Sequence, residues 1–335
     1  MKKRTQVKKP LKLLSIAFMI IAIAIVSACG KSGNDRENVE GKVNVVTSFY
    51  PLYFFAKEIG GDRAHVVNLI AAGVEPHDWT PKSRDLTSVS NAQLFLYNGA
   101  GLEGWVDDFL KGLGSDSKVM TVEASKGIPL IEGNPEHEEG HEEEAHEEEE
   151  AHGEEGHEHS DLNVDPHTWV SPRSAFTMAA NIRDAYVKAD PEHQAEYEAN
   201  YAELEKRLKQ LDDKYTQTLS GFERRDIVVS HQAFGYLCRD YNLNQIAIMG
   251  LSPEAEPKAQ DLLKIAKYVK ENNIRYIFFE ELVSEQLAKT LAGEADVDTL
   301  VLNPLEGLTP EQEKAGDDYF TLSERNLQNL QKALQ

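Results

Sequence analysis

Three of the eleven histidines in this sequence sit where they could jointly hold a metal ion. His77 lies in AAGVEPHDW, His167 in VDPHTWVSP and His231 in DIVVSHQAF. Imidazole is the commonest metal ligand in proteins, and three converging imidazoles suit a borderline-soft divalent ion. A carboxylate is expected as the fourth ligand. Glu306 in TLVLNPLEGLT is the first choice, and Glu280, at the end of IRYIFFEE, is the reserve. Three neutral imidazoles and one carboxylate around Zn2+ leave a net charge of about +1, with tetrahedral ligand distances of about 2.0–2.2 Å. Spacing alone leaves a second reading open, in which each histidine is a surface or capping residue. Glu75 and Asp78 flank His77, and one could orient an imidazole, the other reading being exposure at the surface. Trp79 and Trp169 each follow a candidate histidine by two residues, placed either to keep water out or to pack in a core. His65 and His193 read as surface residues.

Such side chains need a scaffold that presents them together. In open α/β sheets, ligands collect beyond the carboxyl ends of the strands. Strand patterns at 42–48, 66–70, 94–97 and 119–122 alternate with helical patterns at 51–59, 81–89 and 104–110. A second series begins after residue 221, with strands at 226–230, 245–249, 274–279 and 299–302 and helices between them. The clearest of these helices is 257–272, where Leu262, Ile265, Ala266 and Val269 fall on one face. A last helix is expected over 310–334. This alternation predicts an α/β fold of two lobes with parallel sheets. Between the series, 174–188 and 192–219 read as helices, with Asp190-Pro191 marking the restart. The second of these contains no Gly or Pro, and at 1.5 Å per residue it runs for roughly 40 Å. That is long enough for one rigid helix to join both lobes and leave a cleft at the seam. The expected division is an N-terminal lobe at 42–190, a linking helix at 191–220 and a C-terminal lobe at 221–335.

The stretch 136–159 holds thirteen Glu and six His and no positive charge. Without apolar periodicity it cannot bury enough surface to offset the entropy of ordering, so 132–161 is expected to be a disordered surface loop. Its histidines, His137, His141, His146, His152, His157 and His159, can bind metal, but each capture must also order the chain. They are expected to form an accessory site weaker than a preformed cleft. The other reading is a solvated acidic linker, because a His-rich tract is compositional evidence only.

Residues 1–28 read as an export signal: basic residues, an apolar run from Leu13 to Val26, then small residues. The order Val26-Ser27-Ala28-Cys29 resembles a bacterial lipobox, which makes Cys29 the lipidated end and 29–41 a polar tether. Loss of the six basic residues of the leader takes the formal charge from −22 to −28. So acidic a chain is not expected to bind nucleic acid, and its lipid anchor is its expected hold on a membrane. Cys238 is the other cysteine, expected to be a buried small hydrophobe.

Taken in order after the lipobox, GVEPHDW, DPHTWVSP, VVSHQAFGYLCRDY and LNPLEGLT resemble the metal-specific substrate-binding proteins of ABC importers. Within that family they are most similar to the zinc-uptake subgroup, the ZnuA/AdcA-like proteins. The resemblance runs from about residue 43 to the end. It implies two α/β lobes joined by a rigid helix, with the metal between them. The zinc subgroup carries His at the positions matching His77, His167 and His231, with an acidic residue or water as fourth ligand. Manganese-selective relatives tend to have a carboxylate where His231 stands, so the resemblance implies Zn2+, as ligand softness does. His- and acid-rich insertions in the family fall between the positions matching His77 and His167, where 136–159 lies. No counterpart is expected of the extra C-terminal zinc-binding domain of some streptococcal members.

The function implied is a monomeric, lipid-anchored binding protein on the outer face of the cytoplasmic membrane. It would pass Zn2+ to a permease driven by a cytoplasmic ATPase subunit, with no covalent chemistry. Two other classes stand beside it. A zinc hydrolase could use three His and a water, but there is no obvious base beside the histidines. A surface adhesin is compatible with the anchor and the charge, but the sequence names no ligand for one.

Overall fold

The computed structural model describes residues 38–114, 117–132, 164–253 and 257–335. The expected leader, Cys29 and the six loop histidines therefore lie outside the described residues. The first sheet contains β1 (Val43–Thr47), β2 (Ala64–Asn68), β3 (Leu94–Tyr97) and β4 (Met120–Glu123). They are connected through α1 (Tyr50–Gly60), α2 (Ser83–Asn91) and α3 (Val106–Gly112). Its order is β2-β1-β3-β4, parallel throughout. The second sheet contains β5 (Asp226–Val229), β6 (Asn244–Ala247), β7 (Tyr276–Phe279) and β8 (Asp298–Val301). Its connecting helices are α6 (Gly235–Tyr241), α7 (Ala259–Glu271) and α8 (Gln286–Ala295), with α4 (Pro172–Ala189) and α5 (Gln194–Leu219) between the two series. Its order, β6-β5-β7-β8, repeats that of the first, again parallel. In each sheet the winding reverses between the two central strands, the place where α/β folds bind ligands.

The central strand β1 reads VNVVT and is buried along its length, because a parallel strand covered on both faces has no solvent side. The edge strand β2 is only partly buried and begins two residues before the expected 66–70. A 3-10 turn over Gly61–Arg63 delivers Ala64 directly opposite Val43, and that pairing fixes the start. The expected last helix, 310–334, is a correction: it is two helices, α9 (Pro310–Ala315) and α10 (Tyr319–Leu334). Gly316 at φ 76° ends the first, and Asp318 caps the second by accepting from the Thr321 N–H at 2.7 Å.

One apolar core is shared by both sheets and takes in α1, α4, α5 and α10, while a smaller core covers the outer face of each sheet. Helix α5 buries Tyr197, Leu204, Leu208, Leu211, Tyr215 and Leu219 along a single stripe. Each full burial of this kind is worth about 1.5–3 kcal/mol. The helix packs on α1 and α4 of one lobe and on α10 of the other. Polar contacts repeat the linkage. Arg207 donates to Glu58 of α1 at 2.6 Å and to Asp318 at 3.3 Å, with its guanidinium 4.0 Å from the Phe320 ring centre. The Tyr215 hydroxyl donates to the Ser323 carbonyl at 2.7 Å. Cys238 is buried in α6, and burial raises its thiol pKa far above the ordinary range, which makes it unreactive. Among the described residues, no helix is long and apolar enough to cross a membrane.

Candidate metal centre

Each candidate ligand comes from a different loop. His77 lies between β2 and α2, His167 just before a 3-10 turn at Thr168–Val170, His231 just beyond β5, and Glu306 between β8 and α9. The fold brings all four together, with one ligand atom of each within 4.8 Å of the others. The Nε2 atom of His167 is 3.2 Å from that of His77 and 3.2 Å from that of His231. Oε1 of Glu306 is 3.5, 3.3 and 3.7 Å from Nε2 of His77, His167 and His231. For ligand distances of about 2.0–2.2 Å, the edges of a regular tetrahedron are about 3.3–3.6 Å. The observed spacings bracket that range.

The hydrogen bonds around the rings decide which nitrogen faces the centre. Asp165 Oδ1 accepts from Nδ1 of His167 at 2.8 Å and from its backbone N–H at 2.9 Å. Glu280 accepts from Nδ1 of His231 at 2.7 Å and from its backbone N–H at 3.2 Å. A carboxylate at Nδ1 fixes the proton there and leaves the Nε2 lone pair pointing inward. Two such lone pairs at 3.2 Å repel unless a proton or a metal cation lies between them. Glu306 Oε1 is buried and receives no hydrogen bond of proper geometry from the three rings around it. A buried carboxylate oxygen without a donor is costly, and a cation at the centre of the four would satisfy it.

The electrostatics follow this geometry. Burial would raise the Glu306 pKa, but the three imidazoles hold it well below the usual carboxylate range. Burial would lower the His231 pKa, but Glu280 and Glu306 together raise it well above the ordinary value. His167 behaves likewise, with burial overcome by Asp165 and Glu306. His77 is the reverse: burial lowers its pKa, and Glu306 does not fully compensate. Glu75 is pushed up to about 8, first by burial and then by the charge on Glu306.

Supporting residues fix the loops. Asn98, just past β3, donates to the Pro166 carbonyl at 2.9 Å and accepts from the Thr168 hydroxyl at 3.1 Å, which pins both sides of His167. Across the cleft, Trp169 Nε1 donates to the Pro304 carbonyl at 2.7 Å, so the loop bearing Glu306 is tied to the segment bearing His167. Trp169 is fully buried and packs edge-on against Phe49, so its role is core packing with a cross-lobe hydrogen bond. Trp79 packs edge-on against Trp105 at the margin of the first core.

Several sequence expectations change. Glu280, the reserve ligand, is not in the four-residue set, because both its oxygens turn to Nδ1 of His231. Glu75 accepts from the His77 backbone N–H at 3.1 Å rather than orienting a ring, while Asp78 is exposed, as its other reading had it. His193 and His65 lie partly exposed at the surface, and His193 donates to Asp190 at 2.7 Å. The sequence pattern did not single out Asp165. Its signal was local, a carboxylate two residues before an imidazole in VDPHTW.

Comparison with known proteins follows the same lines. The family model for ZnuA, zinc-uptake complex component A periplasmic, matches residues 45–333. A zinc-binding protein AdcA of Streptococcus pyogenes is 42% identical over 316 residues, which cover 94% of this chain and 60% of that protein. The chain thus spans about 60% of the length of that relative. The high-affinity zinc uptake system protein ZnuA of Bacillus subtilis is 42% identical over 320 residues, covering 95% of this chain and 96% of the relative. Among solved structures, the Zn(II)-bound ZnuA-like domain of Streptococcus pneumoniae AdcA superposes with a TM-score of 0.72 at 38% identity, covering 88% of this chain and 99% of that one.

Proposed function

The chain belongs to the ZnuA family of zinc-uptake components, and from that premise we propose that it captures Zn2+ outside the cytoplasmic membrane and hands it to the permease of an ATP-driven importer. The observation that carries this reading is the spacing of three imidazole Nε2 atoms around a buried carboxylate oxygen that lacks a donor. Zn2+ held by His77, His167, His231 and Glu306 has four protein ligands, and no coordination position is left for a substrate. That suits capture and transfer rather than catalysis. The His77 side chain is 10% exposed while that of Glu306 is 1% exposed and those of His167 and His231 are fully buried, so the ion enters and leaves past His77.

Three further assignments rest on the sequence and this reading. Cys29 anchors the protein to the outer face of the membrane through lipid, on the strength of the basic, apolar and small segments that precede it. The stretch 136–159 gathers Zn2+ as an accessory, supported by its six histidines. The chain divides at the linking helix into lobes at 42–190 and 221–335, supported by the two repeated sheets.

Zinc titration by calorimetry with a competing chelator tests the reading on three mature proteins: intact, lacking 136–159, and carrying His77→Ala with His231→Ala. Tight binding of one ion that survives the deletion and disappears in the double variant is the expected result. Tight binding that follows the deleted stretch would overturn it.

A further inference from the structure

Taking the four-residue cluster as the zinc site, we propose that Gly235 and Tyr236, at the start of α6, are positioning residues for His167 that act through Asp165. Asp165 is fully buried, and its Oδ1 is committed to the ring and backbone of His167. Its other oxygen, Oδ2, is buried with no hydrogen-bond partner and lies against Gly235. A Cβ added at Gly235 would sit 2.2 Å from Oδ2, far inside contact distance. Something must then shift, and rotation of the Asp165 side chain would take it off the His167 ring. Glycine at this position is therefore what lets the helix close over the carboxylate.

The next residue grips the same segment by its backbone. The Tyr236 hydroxyl donates to the Asp165 carbonyl at 2.7 Å and accepts from the Ile131 N–H at 3.3 Å. Those two segments are themselves joined, since the Asp165 N–H donates to the Ile131 carbonyl at 2.9 Å. One turn further along α6, Arg239 donates to the Pro129 carbonyl at 2.9 Å and to the Ser174 hydroxyl at 3.2 Å. Helix α6 starts four residues after His231 and belongs to the second sheet, whereas the segment it grips carries His167. One short helix thus sets His167 relative to His231, whose Nε2 atoms lie 3.2 Å apart and must stay close together for one ion to bind both.

The test is a double-mutant cycle on the full mature chain, with zinc affinity measured by chelator competition for wild type, Gly235→Ala, Asp165→Asn and the double variant. Loss of a carboxylate that orients a metal-binding histidine typically weakens affinity about 10- to 100-fold. Gly235→Ala is expected to weaken zinc binding by about the same factor, and the double variant to be no weaker than Asp165→Asn alone, because both changes remove one interaction. The Nδ1 proton resonance of His167 should shift in Gly235→Ala while that of His231 stays in place. Additive losses, or an unchanged affinity in Gly235→Ala, would overturn the proposal. Should Gly235→Ala fail to fold, Tyr236→Phe takes its place in the cycle, where a non-additive loss supports the proposal and an additive or absent loss overturns it. Wild-type protein that binds no zinc would instead refute the proposed function.

Discussion

Glu306 Oε1 lies 3.3 Å from Nε2 of His167, although the two side chains belong to lobes built on different sheets. The contact survives burial because both sides are held from behind. Asp165 holds the ring, and Trp169, two residues after His167, reaches the carbonyl of Pro304, two residues before Glu306. The candidate site is therefore a feature of the closed seam and not of either lobe alone.

Protons compete for this site. Glu280 and Glu306 raise the His231 pKa well above its ordinary value, and Asp165 and Glu306 raise that of His167, so a proton on the nitrogens that face the centre competes with zinc. Zinc must displace it, and affinity should rise with pH until those raised pKa values are passed, by about tenfold per pH unit for one proton displaced. Calorimetry at pH 7 in buffers of different ionisation enthalpy should report proton release on zinc binding; none would contradict the assignment. For the metal-free fold the sign is opposite. A histidine with a raised folded pKa contributes stability that is fully present below about pH 6.5 and is lost as pH rises through the folded value. Glu306, whose folded pKa is depressed, contributes stability that is lost as the solution is acidified.

The two carboxylates near His231 should separate by role. Glu280→Gln removes the group that orients the ring and should weaken zinc binding about 10- to 100-fold while keeping one ion per protein. Glu306→Gln removes a ligand and should cost more. Equal or reversed losses in chelator competition would make Glu280 the ligand.

Trp169→Phe keeps the aromatic packing against Phe49 but leaves the Pro304 carbonyl without its indole donor. A buried polar group left unpaired costs about 1–3 kcal/mol. Thermal melting of the metal-free variant should fall accordingly. An unchanged melting temperature would show that the cross-lobe bond adds nothing.

Much of this protein was written locally. Strand β3 falls at Leu94–Tyr97 as its apolar run required, and α4, α5 and the strands of the second sheet lie within two residues of their patterns. Short-range chemistry decides such elements: burial on both faces for a parallel strand, a Gly- and Pro-free stripe for a long helix. The types of the four candidate ligands, and the places of His77, His231 and Glu306 past strand ends, were legible for the same reason, whereas the approach of His167 was not. Local pattern was also present at Gly316, which breaks the last helix, and at Asp165, which stands two residues from the ring it holds. The role of Glu280 was not legible. A carboxylate past the end of β7 can ligate an ion or turn to a neighbouring ring, and the choice depends on His231 arriving from β5 within 2.7 Å. Gly235 is a similar case, since its need for a missing Cβ comes from a carboxylate in the other lobe. Sequence determined the residue types and the elements that carry them. Only the packing of two sheets against one shared helix decided which atoms meet, because those distances join residues that no local rule connects.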